Sequence, residues 1–331
     1  MGGFVMNEKR AFITGISGQD GSFLAEFLLE KGYKVFGLVR RMSNPSFPLI
    51  DHLLDKVTLI DGDMTDSHSI YKALNEAMPH EIYNLAAQSF VGTSWKQPEL
   101  TANVNGLGVA RLLENVRNIC PSAKVFQAST SELYGNTTVM PQHECTPFQP
   151  RSPYGISKLY AYWMVVNYRE SYNMFCCNGI TFNHESERRG IEFVTRKITH
   201  GVAEIVARKR NKILLGNTQA KRDWGYSKDY VEAFWLMLQQ DEPVDYVVAT
   251  GEQHSVQDFI DEAFKQAGFD KEDVAYHIGI DERYYRPADV NYLLGDPSKI
   301  ERGLGWKAKT KFSELVKIMV DSDLKLMGVN K

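Results

Sequence analysis

Seven residues near the amino terminus, GISGQDG, do most to limit what this chain can fold into. They follow an apolar run at residues 10–14 that reads as a short buried strand. They precede residues 22–31, where Phe23, Leu24, Phe27 and Leu28 mark the apolar face of a helix that Gly32 can end. Within the turn, Gly15, Gly18 and Gly21 stand three apart. A strand, glycine turn, helix and second strand (33–39) make a phosphate cradle. Glycines let the backbone approach a pyrophosphate, and the helix amino terminus supplies amide donors at the positive end of its dipole. A plain tight turn could use the same glycines, but the strand and helix on either side favour a nucleotide held by Gly15, Ile16, Ser17, Gly18, Gln19, Asp20 and Gly21.

Further strands are expected at residues 57–61, 81–86, 124–128, 174–182 and 246–250, with helical spacing across 99–119. Their alternation predicts an α/β fold: a Rossmann-type doubly wound parallel sheet covered on both faces, with a smaller α/β substrate-binding domain. A length of 331 residues and 43% hydrophobic content support both. The expected boundaries are 7–182 plus about 226–251 for the dinucleotide domain, and about 183–225 plus 252–331 for the other.

Composition narrows the partners. A net charge of −3 and a pI near 6.3 leave no basic footprint for nucleic acid. Cys120, Cys145, Cys176 and Cys177 show no metal spacing, which points to a reducing, cytoplasmic protein without disulfides or zinc. The start, MGGFVM, carries no recognisable export or lipidation signal, and no apolar run approaches the ~20 residues of a membrane span.

The loops after the strands carry the chemistry. Arg40-Arg41 ends the second strand where an NAD site usually places an acidic residue, and a cation there suits the extra phosphate of NADP. The expected cofactor is therefore NADP, the other reading being a solvated Arg pair. Asp63 and Met64 follow the third strand, placed to meet an adenine. Ala87-Gln88-Ser89 follows the fourth, where small residues either admit a dinucleotide or make a simple turn. The fifth strand delivers Thr130 and Glu132 to the carboxyl edge of the sheet, where open parallel sheets bind ligands. Tyr154 and Lys158 then share one helical face if Ser152 caps a helix that Pro153 opens. The ammonium favours the phenolate and brings a phenol of pKa about 10 toward use as a base. Alone, the pair also reads as a solvated helix face.

After Phe182 the chain turns polar and cationic. Lys197, Arg222 and Arg286 are candidates to hold a diphosphate, each being also an ordinary surface charge in isolation. The HES segment lacks the second histidine that a zinc site on a helix needs.

TGISGQDGS, NLAAQS, STSELYG, SPYGISK, NHESERRGIEFVTRK, RDWGYSKDYVEA and RYYRPADVNYLLGDPSK together cover nearly the whole chain. On these stretches it resembles the extended short-chain dehydrogenase/reductase family, and within it the dehydratases of nucleotide sugars. The resemblance implies GDP-mannose as substrate and an internal redox cycle on bound NADP. It implies Tyr154 as the base for a sugar hydroxyl, Lys158 as its partner and ribose ligand, and Glu132 with Thr130 as the dehydration pair. It also implies that His184 and Arg189 approach the cofactor. Leu85 and Ala86 are further cofactor candidates and Asn183 a substrate candidate, and the apolar helices after Glu99 and Ser152 and the Arg40-Arg41 loop offer contact surfaces for a homodimer or homotetramer. Three positions depart from the family pattern: Glu187 replaces a usual Pro, Leu100 a frequent Tyr, and Met42 a small hydroxyl residue. A keto-sugar reductase or a 4-epimerase could use the same Tyr and Lys but has no need of Glu132. A non-catalytic NADP sensor would need none of the three.

Overall fold

The computed structural model describes residues 8–285, 288 and 290–329. In chain order, β1 (Arg10–Thr14), β2 (Lys34–Val39), β3 (Val57–Asp61), β4 (Glu81–Asn84), β5 (Lys124–Ala128) and β6 (Cys176–Thr181) lie in one sheet with Tyr246–Val248. The sheet order is Tyr246–Val248, β6, β5, β4, β1, β2, β3, and every pairing from β6 to β3 is parallel. Strand order reverses between β1 and β4, the switch point at which open parallel sheets bind ligands. This is the α/β fold expected from the sequence.

Helices α1 (Gln19–Glu30), α2 (Ser67–Ala77), α3 (Val91–Ser94), α4 (Pro98–Ala102), α5 (Gly108–Ile119) and α6 (Pro153–Tyr172) fill the connections. On one face, Ile70 and Leu74 of α2, Leu112 and Val116 of α5 and Val165 of α6 bury against Phe12, Phe36, Ile82 and Val125. On the other, Phe234 of helix Ser227–Leu238 stacks on Phe126 with ring centroids 4.4 Å apart.

The strand expected at 246–250 ends at Val248, and four further elements differ from the sequence reading. Helix α1 begins at Gln19, three residues early, so Gly21 lies in its first turn; a Cβ there would sit 2.2 Å from the carbonyl oxygen of Gly15, which only glycine permits. Strand β4 stops at Asn84: Leu85 N donates to both the carbonyl (3.2 Å) and Oγ1 (3.1 Å) of Thr14 at the end of β1, and Ala86 N donates only to that hydroxyl, at 3.1 Å. The helical stretch expected at 99–119 is α4, a π-helical turn at Asn103–Leu107, and α5. The expected strand at 174–182 ends at Thr181, and Asn183–Glu185 pairs instead with Trp224–Tyr226.

The start of α6 follows the sequence: Ser152 Oγ accepts from Gly155 N at 3.0 Å and Pro153 occupies the first turn, a cap worth about 1 kcal/mol.

The chain divides into two compact units. The first comprises Met1–Leu133, Ser152–Ile180 and Val231–Tyr246, and the second Tyr134–Arg151, Thr181–Tyr230 and Val247–Lys331. In the second, Ile198 and Val202 of Val194–Val206, Phe259 and Phe264 of Val256–Gln266, and Leu315 and Met319 of Phe312–Leu326 form its core. Small two-stranded sheets pair Lys221–Arg222 with His254–Ser255 and Ile213–Leu215 with Ile278–Ile280. All four cysteines are free thiols. Among the described residues no helix is long and apolar enough to cross a membrane, and no three His, Cys, Asp or Glu side chains are grouped to hold a metal.

Candidate active site

Polar side chains at the carboxyl ends of three adjacent strands tie the glycine turn to the Tyr-Lys helix. Thr14 Oγ1 donates to Asn84 Oδ1 at 2.6 Å, Asn84 Nδ2 to Gln127 Oε1 at 2.6 Å, and Gln127 Nε2 to the carbonyl of Ala128 at 2.8 Å. All three side chains are buried. The Ala128 carbonyl also accepts from Lys158 Nζ at 2.9 Å. A buried, fully partnered ladder of this kind holds its members in one geometry. It was not read from the sequence; the signal was a polar residue ending or nearly ending each of three apolar strands.

Thr130, Glu132, Tyr154 and Lys158 each expose less than a tenth of their surface, so none is a solvated face residue. Thr130 and Glu132 share a loop in which Glu132 N donates to Thr130 Oγ1 at 3.2 Å, and the turn Ser131–Leu133 packs against α6. On α6 the Lys158 ammonium lies 5.9 Å from the centre of the Tyr154 ring. Burial lowers the Lys158 pKa to about 8, with Asp20 the nearby charge that raises it. An ammonium with so depressed a pKa, beside a phenol, suits proton transfer near neutral pH.

The expected cofactor residues of this unit line the same edge. Gly15 adopts φ +73°, and a Cβ there would stand 2.9 Å from Ala86 N, so the glycine turn and the loop after β4 lie in backbone contact. Gly18 caps α1, whose first turn holds Gln19 and Asp20. Arg40, Arg41, Met42 and Asp63 line an open cavity of about 630 Å³. Asp63 Oδ1 is engaged by the N–H and hydroxyl of Thr65 at 2.8 and 2.7 Å, and Met64 points into the core. A dinucleotide fits these residues: close-packed glycines at a helix amino terminus, a cavity beyond β2 that Arg40 and Arg41 line together with Asp61, Asp63 and Asp66, and a buried ammonium.

Two residues that support this edge were missed in the sequence. Asn105, in the π-helical turn, accepts from Gln88 N at 2.8 Å and donates to Gln88 O at 2.9 Å, clamping the loop after β4 from both sides. Arg111 donates to the carbonyls of Met64 and Asn103, each at 3.2 Å, and holds the loop after β3. The extra residue of the π turn sets Asn105 toward Gln88, while Gly106 lets the turn approach Tyr160 and the Ser157 carbonyl of α6. Only an asparagine within an apolar helical run hinted at this.

The second unit holds the other candidates. The His184 ring stacks on Tyr230 with centroids 4.6 Å apart, and its Nδ1 is 2.7 Å from the Phe182 carbonyl. Arg189 pairs with Glu185 at 3.0 Å and lies over Phe193. Asn183 buries its amide oxygen without a hydrogen-bond partner among the described residues. Lys197 Nζ sits 3.2 Å from the centre of the Tyr284 ring, and the buried Arg222 donates to the Lys221 carbonyl at 2.9 Å. Arg286 lies outside the described residues. Of the departures from family pattern, Glu187 accepts from Tyr226 OH at 3.3 Å, and Leu100 and Met42 are exposed.

Fold and site together define an extended short-chain dehydrogenase/reductase. Among solved structures, the UDP-glucose 4-epimerase of Thermus thermophilus, in complex with NAD, superposes with a TM-score of 0.83 at 26% identity, over 95% of this chain and 98% of that one. The family model for GDP-mannose 4,6 dehydratase matches residues 12–319, and the chain belongs to that family. The human GDP-mannose 4,6 dehydratase is 52% identical over 97% of this chain and 92% of its own length. A GDP-mannose 4,6-dehydratase of Vibrio cholerae serotype O1 is 48% identical over 96% and 94%.

Proposed function

We infer that this protein dehydrates GDP-mannose to GDP-4-keto-6-deoxymannose with NADP held throughout the cycle. The observation that carries the reading is the burial of Glu132 and Thr130 on a turn packed against the helix of Tyr154 and Lys158, in a chain of the dehydratase family. Oxidation or epimerisation alone has no use for that carboxyl group.

Tyr154 takes the proton of the hydroxyl on carbon 4, and Lys158 holds the charge that favours its phenolate. A bound nicotinamide would supply reversible hydride chemistry, so that the cycle leaves no net oxidation. The resulting 4-ketone acidifies the hydrogen on carbon 5. Glu132 removes that proton, and the carbon 6 hydroxyl leaves as water, protonated by the same carboxyl group or through Thr130. Gly15, Ile16, Ser17, Gly18, Gln19, Asp20 and Gly21 would hold the pyrophosphate, with Arg40 at the extra phosphate of NADP. Leu85, Ala86, Ala87, Gln88 and Ser89 would approach the cofactor by backbone, and Asp63 and the backbone of Met64 would flank its adenine. Asn183, Lys197, Arg222 and Arg286 would hold the nucleotide sugar, and His184 and Arg189 would reach the cofactor.

Four free thiols favour a reducing, cytoplasmic setting. An apolar groove on α6, lined by Ile156, Leu159, Tyr160, Trp163 and Met164, favours a homodimer or homotetramer.

The test is GDP-mannose deuterated at carbon 4. Label recovered on carbon 6 of a product lighter by one water, without build-up of reduced cofactor, is the expected result. Oxidation that stops at a ketone, or consumption of one reduced cofactor per product, would mean a different reaction.

A further inference from the structure

We propose that Asp223 is a positioning residue for the nucleotide sugar: its buried carboxylate fixes the backbone that presents Arg222 on one side and pairs with Asn183 on the other. The proposal rests on the reading that Arg222 and Asn183 contact that substrate.

Asp223 is fully buried and stands between two short strands. On its amino-terminal side, Lys221–Arg222 pairs with His254–Ser255. Lys221 also exchanges hydrogen bonds with the segment leading to Leu293, donating to Asn291 O at 2.9 Å and accepting from Leu293 N at 3.2 Å. On its carboxyl side, Trp224 pairs in register with Asn183. The carboxylate joins three separate stretches of chain. Its Oδ1 accepts from Thr250 N at 2.9 Å and Thr250 Oγ1 at 2.7 Å, and its Oδ2 from Gly251 N at 3.0 Å and Gly295 N at 3.3 Å.

Gly295 has no room to shift. A Cβ there would lie 2.3 Å from Ala249 Cβ and 3.0 Å from the Phe182 ring. Phe182 directly precedes Asn183, and its N–H donates to the Val248 carbonyl at 2.9 Å. Moving Gly295 therefore disturbs the start of the Asn183 strand, and moving Asp223 disturbs Arg222 beside it.

Packing alone does not call for a carboxylate here. None of its hydrogen-bond partners among the described residues is a cation, and its four donors are neutral. Burial pushes its pKa up to about 6 despite those donors. A group this costly to desolvate is replaceable by a neutral one unless its donors require two acceptor atoms at once. Here they do: an asparagine would satisfy one pair of donors and turn its own NH₂ toward the other.

The test is steady-state kinetics of the full chain with GDP-mannose, alongside direct titration of reduced cofactor by fluorescence. Asp223→Asn should raise the KM for GDP-mannose roughly 10- to 100-fold, with kcat changed by less than about 3-fold, as expected when ground-state substrate contacts are lost. Thr250→Val removes one donor and keeps the backbone N–H. It should move KM in the same direction by about 3-fold, and it serves if the Asn variant does not fold. Cofactor affinity should stay within about 2-fold for both. A loss of kcat at constant KM, or cofactor affinity falling in step with melting temperature, would overturn the proposal in favour of a purely structural role. Arg222→Ala separates the two readings. If it leaves KM unchanged, the substrate assignment fails and the proposal with it; if it raises KM while the Asp223 and Thr250 variants do not, the proposal alone fails.

Discussion

Lys158 Nζ donates to the carbonyl oxygen of Ala128 at 2.9 Å, across 30 residues of sequence, and so anchors the helix that carries Tyr154 to the end of the strand that delivers Glu132. The same carbonyl receives Gln127 Nε2, which continues through Asn84 to Thr14 beside the glycine turn. The glycine turn and the helix of Tyr154 and Lys158 thus share one line of buried hydrogen bonds.

The Lys158 pKa of about 8, against 10.5 for a free lysine, has a consequence for stability. The unfolded chain holds the extra proton between those values, so the penalty of burying the ammonium is present below pH 8 and is relieved as pH rises toward 10.5, by about 3 kcal/mol. Lys158→Met has no such group. Without cofactor the variant should melt above the parent at pH 7, with the gap closing by about pH 10, as followed by calorimetry. A gap constant with pH would mean that Lys158 is not held as described.

Glu132→Gln should lower turnover on the order of 10²- to 10⁴-fold while sparing oxidation at carbon 4. Exchange of the carbon 5 hydrogen with heavy water, read by NMR, should vanish with it. Full turnover would remove Glu132 from the dehydration step.

On the proposed use of NADP, Arg40→Asp should shift the preference toward NAD, since a charged hydrogen bond to the extra phosphate is worth about 1.5–3 kcal/mol, roughly 10- to 100-fold in affinity. Equilibrium titration with both cofactors measures this. An unchanged preference would leave Arg40 as a solvated charge.

Asn105→Ala should release the loop at Gln88 and orphan a half-buried N–H, costing about 1 kcal/mol. Affinity for reduced cofactor should fall about 10-fold. Asn105→Asp, which keeps the acceptor for Gln88 N and loses the donor to Gln88 O, should fall between the two. Fluorescence titration of the three proteins gives the order; equal affinities would show that the clamp does not bear on the cofactor.

What could be read along the chain was whatever local spacing encodes. The glycine triplet, the apolar strands, the Ser152 cap and the four-residue separation of Tyr154 from Lys158 depend on neighbours within a turn or a strand, and the structure has them. The parallel sheet follows from the alternation of those elements. The π-helical turn did not show, because the preference that creates it comes from Gln88, a loop away, and from α6, not from the residues 103–107 themselves.

By itself, then, the sequence determined the sheet, the glycine turn and the helical spacing of the candidate pair Tyr154 and Lys158, since periodicity and turn chemistry are local. Only the tertiary structure decided that Thr14, Asn84, Gln127 and Lys158 form one ladder, that Asn105 grips Gln88, and that Asp223 gathers Thr250, Gly251 and Gly295. Such pairings satisfy buried polar groups whose partners lie tens of residues away. No local pattern names those partners before the chain has folded.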